Sequence, residues 1–152
     1  MLRIYVDTSI AWSHPSDGIV GISICKDGFE PRKIFGVVKK CSETQAILIG
    51  MAKALGYVQQ LDEAIEFNLS CGFVVNALTN GWLVCWEGQH YLKSNKKIVK
   101  NAREWHDLYL ALNGKNYKTY LRSSAELKDE CLARAKKHES IFQTVQKSSK
   151  KI

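Results

Sequence analysis

The feature that most narrows the choice of fold is a change of periodicity at Ser42. Before it, residues 2–6, 19–26 and 31–39 form short apolar runs separated by turn residues, the pattern of extended strands. A turn is expected at residues 13–18, and Asp27 with Gly28 gives a hairpin signal, so the three runs read as an antiparallel meander. After Ser42 the apolar residues Ile47, Met51, Ala54, Leu55 and Val58 recur at helical spacing. Ser42 with Gln45 three residues on is a capping-box pattern, which fixes where that helix begins.

The remainder alternates. Residues 64–69 read as a fourth strand and residues 73–78 as a short helix, while residues 82–90 are aromatic-rich and take no definite assignment. Asn101 with Glu104 predicts a helix start, with Trp105, Leu108 and Leu112 on its buried side. Residues 117–122 read as a fifth strand. Ser123 with Glu126 predicts a final helix, with Leu127, Cys131, Ala135, Phe142 and Val145 roughly in register. Strands that arrive through helices favour parallel additions to the meander. The expected fold class is therefore α/β, a five-stranded mixed sheet of three antiparallel strands and then parallel additions, flanked by helices. No repeat or low-complexity linker interrupts it, so residues 1–146 are read as one domain and residues 147–152 as a basic tail.

Charge separates the two halves of the 152-residue chain. Residues 1–76 carry a net charge of −1 and residues 77–152 a net charge of +8. The densest run holds Lys93, Lys96, Lys97, Lys100 and Arg103 with no acid among them. Such an excess suits a polyanion, either nucleic acid or an acidic membrane surface, and its plain alternative is a solvated lysine-rich face. The run is not a long amphipathic helix, which argues against the membrane. The five cysteines have no zinc-ligand spacing and read as reduced thiols. With no long apolar core near the start, the expected setting is the cytoplasm.

Several residues invite a functional reading. Glu43 stands in the first helical turn, where an acid is explained either by the helix dipole or by a site. Trp82, Trp86 and Tyr91 interleave with the basic run; Trp82 and Trp86, four apart, are equally a core stripe.

Taken in order, these pieces resemble type 1 ribonuclease H over nearly the whole chain. Ile4, Tyr5, Val6 and Asp7 resemble the family's first strand, which ends in an Asp. Ser42, Glu43 and Ala46 resemble the start of its first helix. Phe73 and Asn76 fit the helix after its fourth strand, the stretch from Trp86 through Lys93 to Asn101 fits its basic substrate-binding extension, and Leu132, Ala133 and Arg134 match its last helix. The resemblance implies cleavage of the RNA strand of an RNA–DNA hybrid by two Mg²⁺ (or Mn²⁺) ions. These sit roughly 4 Å apart on clustered carboxylates. It implies that Asp7 bridges both ions and that Glu43 holds the leaving-group side. It further implies that Lys93, Lys96, Lys97 and Lys100 meet phosphates, that Trp82, Trp86 and Tyr91 provide aromatic contacts, and that Asn76 and Gln45 approach the hybrid backbone and minor groove.

Two positions depart from the family pattern. Its third carboxylate falls on Ser70, a neutral and poor Mg²⁺ ligand, with Glu66, Asn68 and Asp17 as distant substitutes. Its fourth falls on Glu130, one methylene longer than Asp, with Asp129 beside it. The family's His-containing loop before the last helix is also missing, since residues 122–126 are short and hold no His. Two functions follow as expectations: a metal-dependent ribonuclease H weakened at Ser70, or a nucleic-acid-binding module that keeps the fold and has lost most turnover.

Overall fold

A computed structural model describes residues 1–11 and 13–150, with side chains described as far as His138. The elements are β1 (Leu2–Thr8), β2 (Ser16–Cys25), β3 (Arg32–Cys41), α1 (Glu43–Val58), β4 (Ile65–Leu69), α2 (Gly72–Thr79), α3 (Trp82–Gly88), α4 (Ala102–Leu112), β5 (Tyr117–Leu121) and α5 (Ala125–Lys150). The sheet order is β3-β2-β1-β4-β5. β1, β2 and β3 pair antiparallel, whereas β4 joins β1 and β5 joins β4 in parallel. The expected mixed sheet is the one observed, because each parallel addition follows a helical crossover long enough to return the chain to the same end.

Helices cover both faces of the sheet, and glycines set how closely two of them approach. A Cβ on Gly50 of α1 would stand 2.6 Å from Val6 Cγ1 and 2.8 Å from Val20 Cγ2. A Cβ on Gly21 of β2 would stand 2.6 Å from Cys131 Sγ and 3.1 Å from a Leu127 methyl of α5. Val20 and Gly21 are neighbours on one strand and point to opposite faces. Thus α1 lies on one face and α5 on the other. The core lies on the α1 side, where Phe67, Leu48, Met51, Trp105 and Leu108 are fully buried.

Local differences from the sequence reading have simple causes. The turn expected at residues 13–18 is shorter, since β2 already starts at Ser16 with an irregularity between Ser16 and Gly18. Residues 82–88 form α3, which the aromatic content obscured. Asn101 does start α4, but by adopting a left-handed backbone (φ 62°) rather than by a side-chain cap. The last helix is capped by Ser124, whose Oγ accepts from Leu127 N, and not by Ser123. The segment read as a basic tail continues α5 as far as Lys150, its side chains lying outside the described residues, as do those of Phe142 and Val145. No described helix is long and apolar enough to cross a membrane.

Candidate functional site

Parallel pairing brings the C-terminal ends of β1, β4 and β5 to one edge of the sheet. Val6 is level with Leu69, and Leu69 with Leu121, so Asp7, Ser70 and the residues after β5 share that edge. The end of β3 reaches it too, through the pairing of Cys41 with Ser16, and α1 starts there at Glu43. Asp7, Glu43 and Ser70 are thus delivered to one end of the sheet by topology alone.

Asp7 is 1% exposed. Such a buried carboxylate needs compensation from every side. Its Oδ1 accepts from Thr8 N at 2.8 Å, and Ser123 Oγ donates to its Oδ2 at 2.8 Å. The Lys128 ammonium lies 3.6 Å from Oδ1 and donates to the Thr8 carbonyl at 2.6 Å. Burial, with the Asp7 charge adding to it, pushes the nearby Cys131 thiol up to about 12. Ser70 Oγ is buried with no hydrogen-bond partner.

The expected convergence of Asp7, Glu43 and Glu130 does not form. Glu130 instead accepts from Lys33 of β3 at 2.7 Å, and Glu126 accepts from the same ammonium at 2.7 Å. Those two bonds, Glu126 first, raise Lys33 to about 12. The cause is helical phase. The face of α5 that buries Leu127 and Cys131 against the sheet turns Lys128 to Asp7 and Glu126 with Glu130, four apart, to β3. Asp129, beside them, is exposed. Nor do the distant substitutes help: Glu66 accepts from Asn68 Nδ2 and lies 3.6 Å from Arg122, and Asp17 accepts from Lys40 N. Among the described residues, no three His, Cys, Asp or Glu side chains gather closely enough to hold a metal ion.

The donor set therefore does not fit the two-ion centre that the resemblance implies. One oxygen of Asp7 faces an ammonium, Ser70 is neutral, and Glu130 is engaged elsewhere. A divalent ion at Asp7 would meet Lys128 at short range, a repulsion of several kcal/mol in a protein-like dielectric. No reaction step is derived through such ions.

Glu43 has a different setting. It borders an open cavity of about 590 Å³, together with Cys71, Phe73, Trp86, Lys93 and Lys100. Trp86 packs edge-on against the buried Trp105 at 5.1 Å and near-parallel to Phe73 at 6.4 Å. Trp82 joins the cluster while staying 38% exposed. The tryptophan pair is thus core on its inner side and cavity wall or surface on its outer side.

Lys93, Lys96, Lys97 and Lys100 are all exposed on the segment between α3 and α4. That segment is ordered by a Leu92–Ile98 bridge, by Lys93 N donating to Lys97 O, and by left-handed backbone at Lys96 (φ 65°). Its base is pinned by Tyr91, which is buried and donates to Glu87 Oε2 at 2.7 Å, 2.9 Å from His106 Nδ1. Tyr91 is therefore an anchor of the basic segment rather than a surface contact. Gln45 is likewise occupied, donating to Glu104 of α4 at 2.8 Å, while Asn76 lies exposed on α2.

The sequence reading missed Lys128, Ser123 and Glu87. A lysine four residues into a helix stands against the macrodipole, which was the one legible sign that Lys128 has a local partner.

No family model and no curated protein matches the sequence. Solved structures do match the fold. The foamy viral protease-reverse transcriptase in complex with an RNA/DNA hybrid superposes with a TM-score of 0.72 at 13% identity, covering 90% of this chain. This chain spans only 19% of that larger protein. LC9-RNase H1, a type 1 RNase H with the type 2 active-site motif, gives a TM-score of 0.66 at 15% identity over 88% of this chain and 69% of its own. RNase H1 from the halophilic archaeon Halobacterium salinarum gives 0.66 at 15% identity over 90% and 98%. With the strand order and the helices on both faces, these likenesses establish that the chain has a ribonuclease H-like fold.

Proposed function

We propose that this domain is a nucleic-acid-binding module, that its ligand is a duplex with an RNA–DNA hybrid as the leading class, and that it leaves that ligand uncleaved. One observation carries the reading. The exposed lysines at 93 and 100 border the same cavity as Phe73, Trp86 and the start of α1, so phosphate-binding charge and aromatic surface face one groove. The complex of the foamy viral protein with an RNA/DNA hybrid supports the choice of ligand, since the two share this fold. Lys96 and Lys97, at the tip of the segment, extend the charge outward; Trp82 and Asn76 supply further surface. A cytoplasmic setting, where thiols stay reduced, belongs to the same reading.

Binding is measured by fluorescence anisotropy of a labelled hybrid, DNA duplex or RNA duplex over a range of salt. Affinity is expected to fall linearly in log salt, with each neutralised phosphate contributing a slope of about 0.9 for DNA-like duplexes. Binding that ignores salt, or no binding, sinks the proposal. Incubating the hybrid with Mg²⁺ or Mn²⁺ is expected to give no product. Cleavage that Asp7→Asn abolishes would instead restore the reading of Asp7 and Glu43 as a Mg²⁺-dependent ribonuclease H centre.

A further inference from the structure

We propose that Lys128 is a built-in cation of the sheet end, an ammonium that takes over the charge balance of Asp7 and makes this domain independent of divalent ions. The proposal stands apart from the binding reading, because it concerns the buried edge of the sheet and not the groove.

Three observations carry it. Asp7 is almost wholly buried, so its negative charge needs a permanent partner. Lys128 provides one, held in place by its 2.6 Å bond to the Thr8 carbonyl and 3.6 Å from Asp7 Oδ1. Lastly, the position of Lys128 is built by the fold. Gly21 has no Cβ, which lets Leu127 and Cys131 press onto the sheet, and these two residues flank Lys128 on α5. Cys131 Sγ also approaches the Asp7 carbonyl at 3.9 Å, so the helix is joined to β1 on either side of the ammonium. A lysine in the first turn of a helix is opposed by the dipole, and the Asp7 carboxylate 3.6 Å away offsets that opposition. The neutral Ser70 and the diverted Glu130 agree with this arrangement: with one buried carboxylate at the edge, a single positive charge suffices.

The test is thermal unfolding in EDTA, Mg²⁺ or Mn²⁺ at matched ionic strength. The wild type is expected to melt at the same temperature in all three, within about 1 °C, since an ion that does not bind the native state shifts nothing. Lys128→Met removes the charge and keeps the aliphatic stem. It is expected to melt lower in EDTA and to regain stability as Mn²⁺ is added, and the double variant Asp7→Asn, Lys128→Met is expected to lose that response. A Mn²⁺-dependent rise in the wild type that Asp7→Asn abolishes would overturn the proposal. So would a Lys128→Met protein as stable as the wild type and indifferent to Mn²⁺. Should Lys128→Met not fold, Mn²⁺ titration of the wild type by electron paramagnetic resonance decides. No Asp7-dependent site is expected, and a saturable site lost in Asp7→Asn refutes the idea.

Discussion

Asp7 and Glu43 reach the same end of the sheet and meet opposite surroundings. Asp7 is enclosed by β1, the residues after β5 and α5, and each of its oxygens is committed to a backbone amide, a hydroxyl or an ammonium. Glu43, at the half-buried start of α1, borders a cavity shared with the exposed Lys93 and Lys100, whose ammonium groups pair with no acid among the described residues. The difference lies in what covers each residue. A helix docked through a glycine closes over Asp7, while a segment held only at its base stands beside Glu43. Charge neutralised inside the fold contributes to stability, and charge left facing a groove is available to a ligand.

That contrast can be broken experimentally, starting where the effect is largest. Asp7→Ala strips the partners of Thr8 N, Ser123 Oγ and Lys128 together, and is expected to cost about 2–3 kcal/mol of stability, the scale of hydrogen bonds to a charged group. Urea unfolding measures it, and a loss under 1 kcal/mol, roughly one ordinary hydrogen bond, would mean that the sheet end is not an electrostatic centre. On the open side, Lys93→Ala with Lys100→Ala is expected to weaken hybrid binding about tenfold and to reduce the salt slope by roughly 2. Stability should stay within about 0.5 kcal/mol, as for exposed positions generally. If unfolding changes more than binding, the two regions are not separable in this way.

The smallest expected effect concerns the base of the lysine segment. Glu87 lies below its ordinary value of 4.5, chiefly through its hydrogen bond to His106 and then that to Tyr91. A carboxylate lowered on folding adds stability above the unfolded value and loses it as pH falls through the folded one. Glu126 and Glu63, lowered by hydrogen bonds to Lys33 and Lys26, act in the same direction. The urea midpoint should therefore hold steady down to about pH 5 and drop below it, since free carboxylates titrate near 4. Glu87→Gln is expected to flatten that acid limb slightly and to weaken hybrid binding at neutral pH, by loosening the segment that carries Lys93 to Lys100. An unchanged acid limb would show that Glu87 does not hold the loop.

Much of the fold was legible because it rests on local rules. The stripe from Ile47 to Val58 is buried as its spacing requires, and the core side of α4 is Trp105, Leu108 and Leu112. Ser42 Oγ accepts from Gln45 N as the capping pattern states. The other half of that pattern failed, since the Gln45 side chain turned to Glu104, fifty-nine residues away. Long-range partners of this kind leave no periodic trace. The aromatic stretch at residues 82–88 was opaque for a related reason: its tryptophans serve a cluster drawn from α2, α3 and α4.

What the sequence determined by itself was the order of strands and helices, and with it the delivery of Asp7, Glu43 and Ser70 to one edge, because strand direction and crossover handedness follow from local pattern and chain connectivity. What only the tertiary structure decided was which side chain of α5 faces that edge. About the axis, Glu126 and Glu130 differ by only about a tenth of a helical turn, whereas Lys128 stands somewhat over about two fifths of a turn from either, and the sequence allows either the carboxylates or the ammonium to point inward. The choice fell to Lys128 because Leu127 and Cys131 had to bury against Gly21. Helix rotation is fixed by apolar contact with the sheet, and the charges go where that contact leaves them.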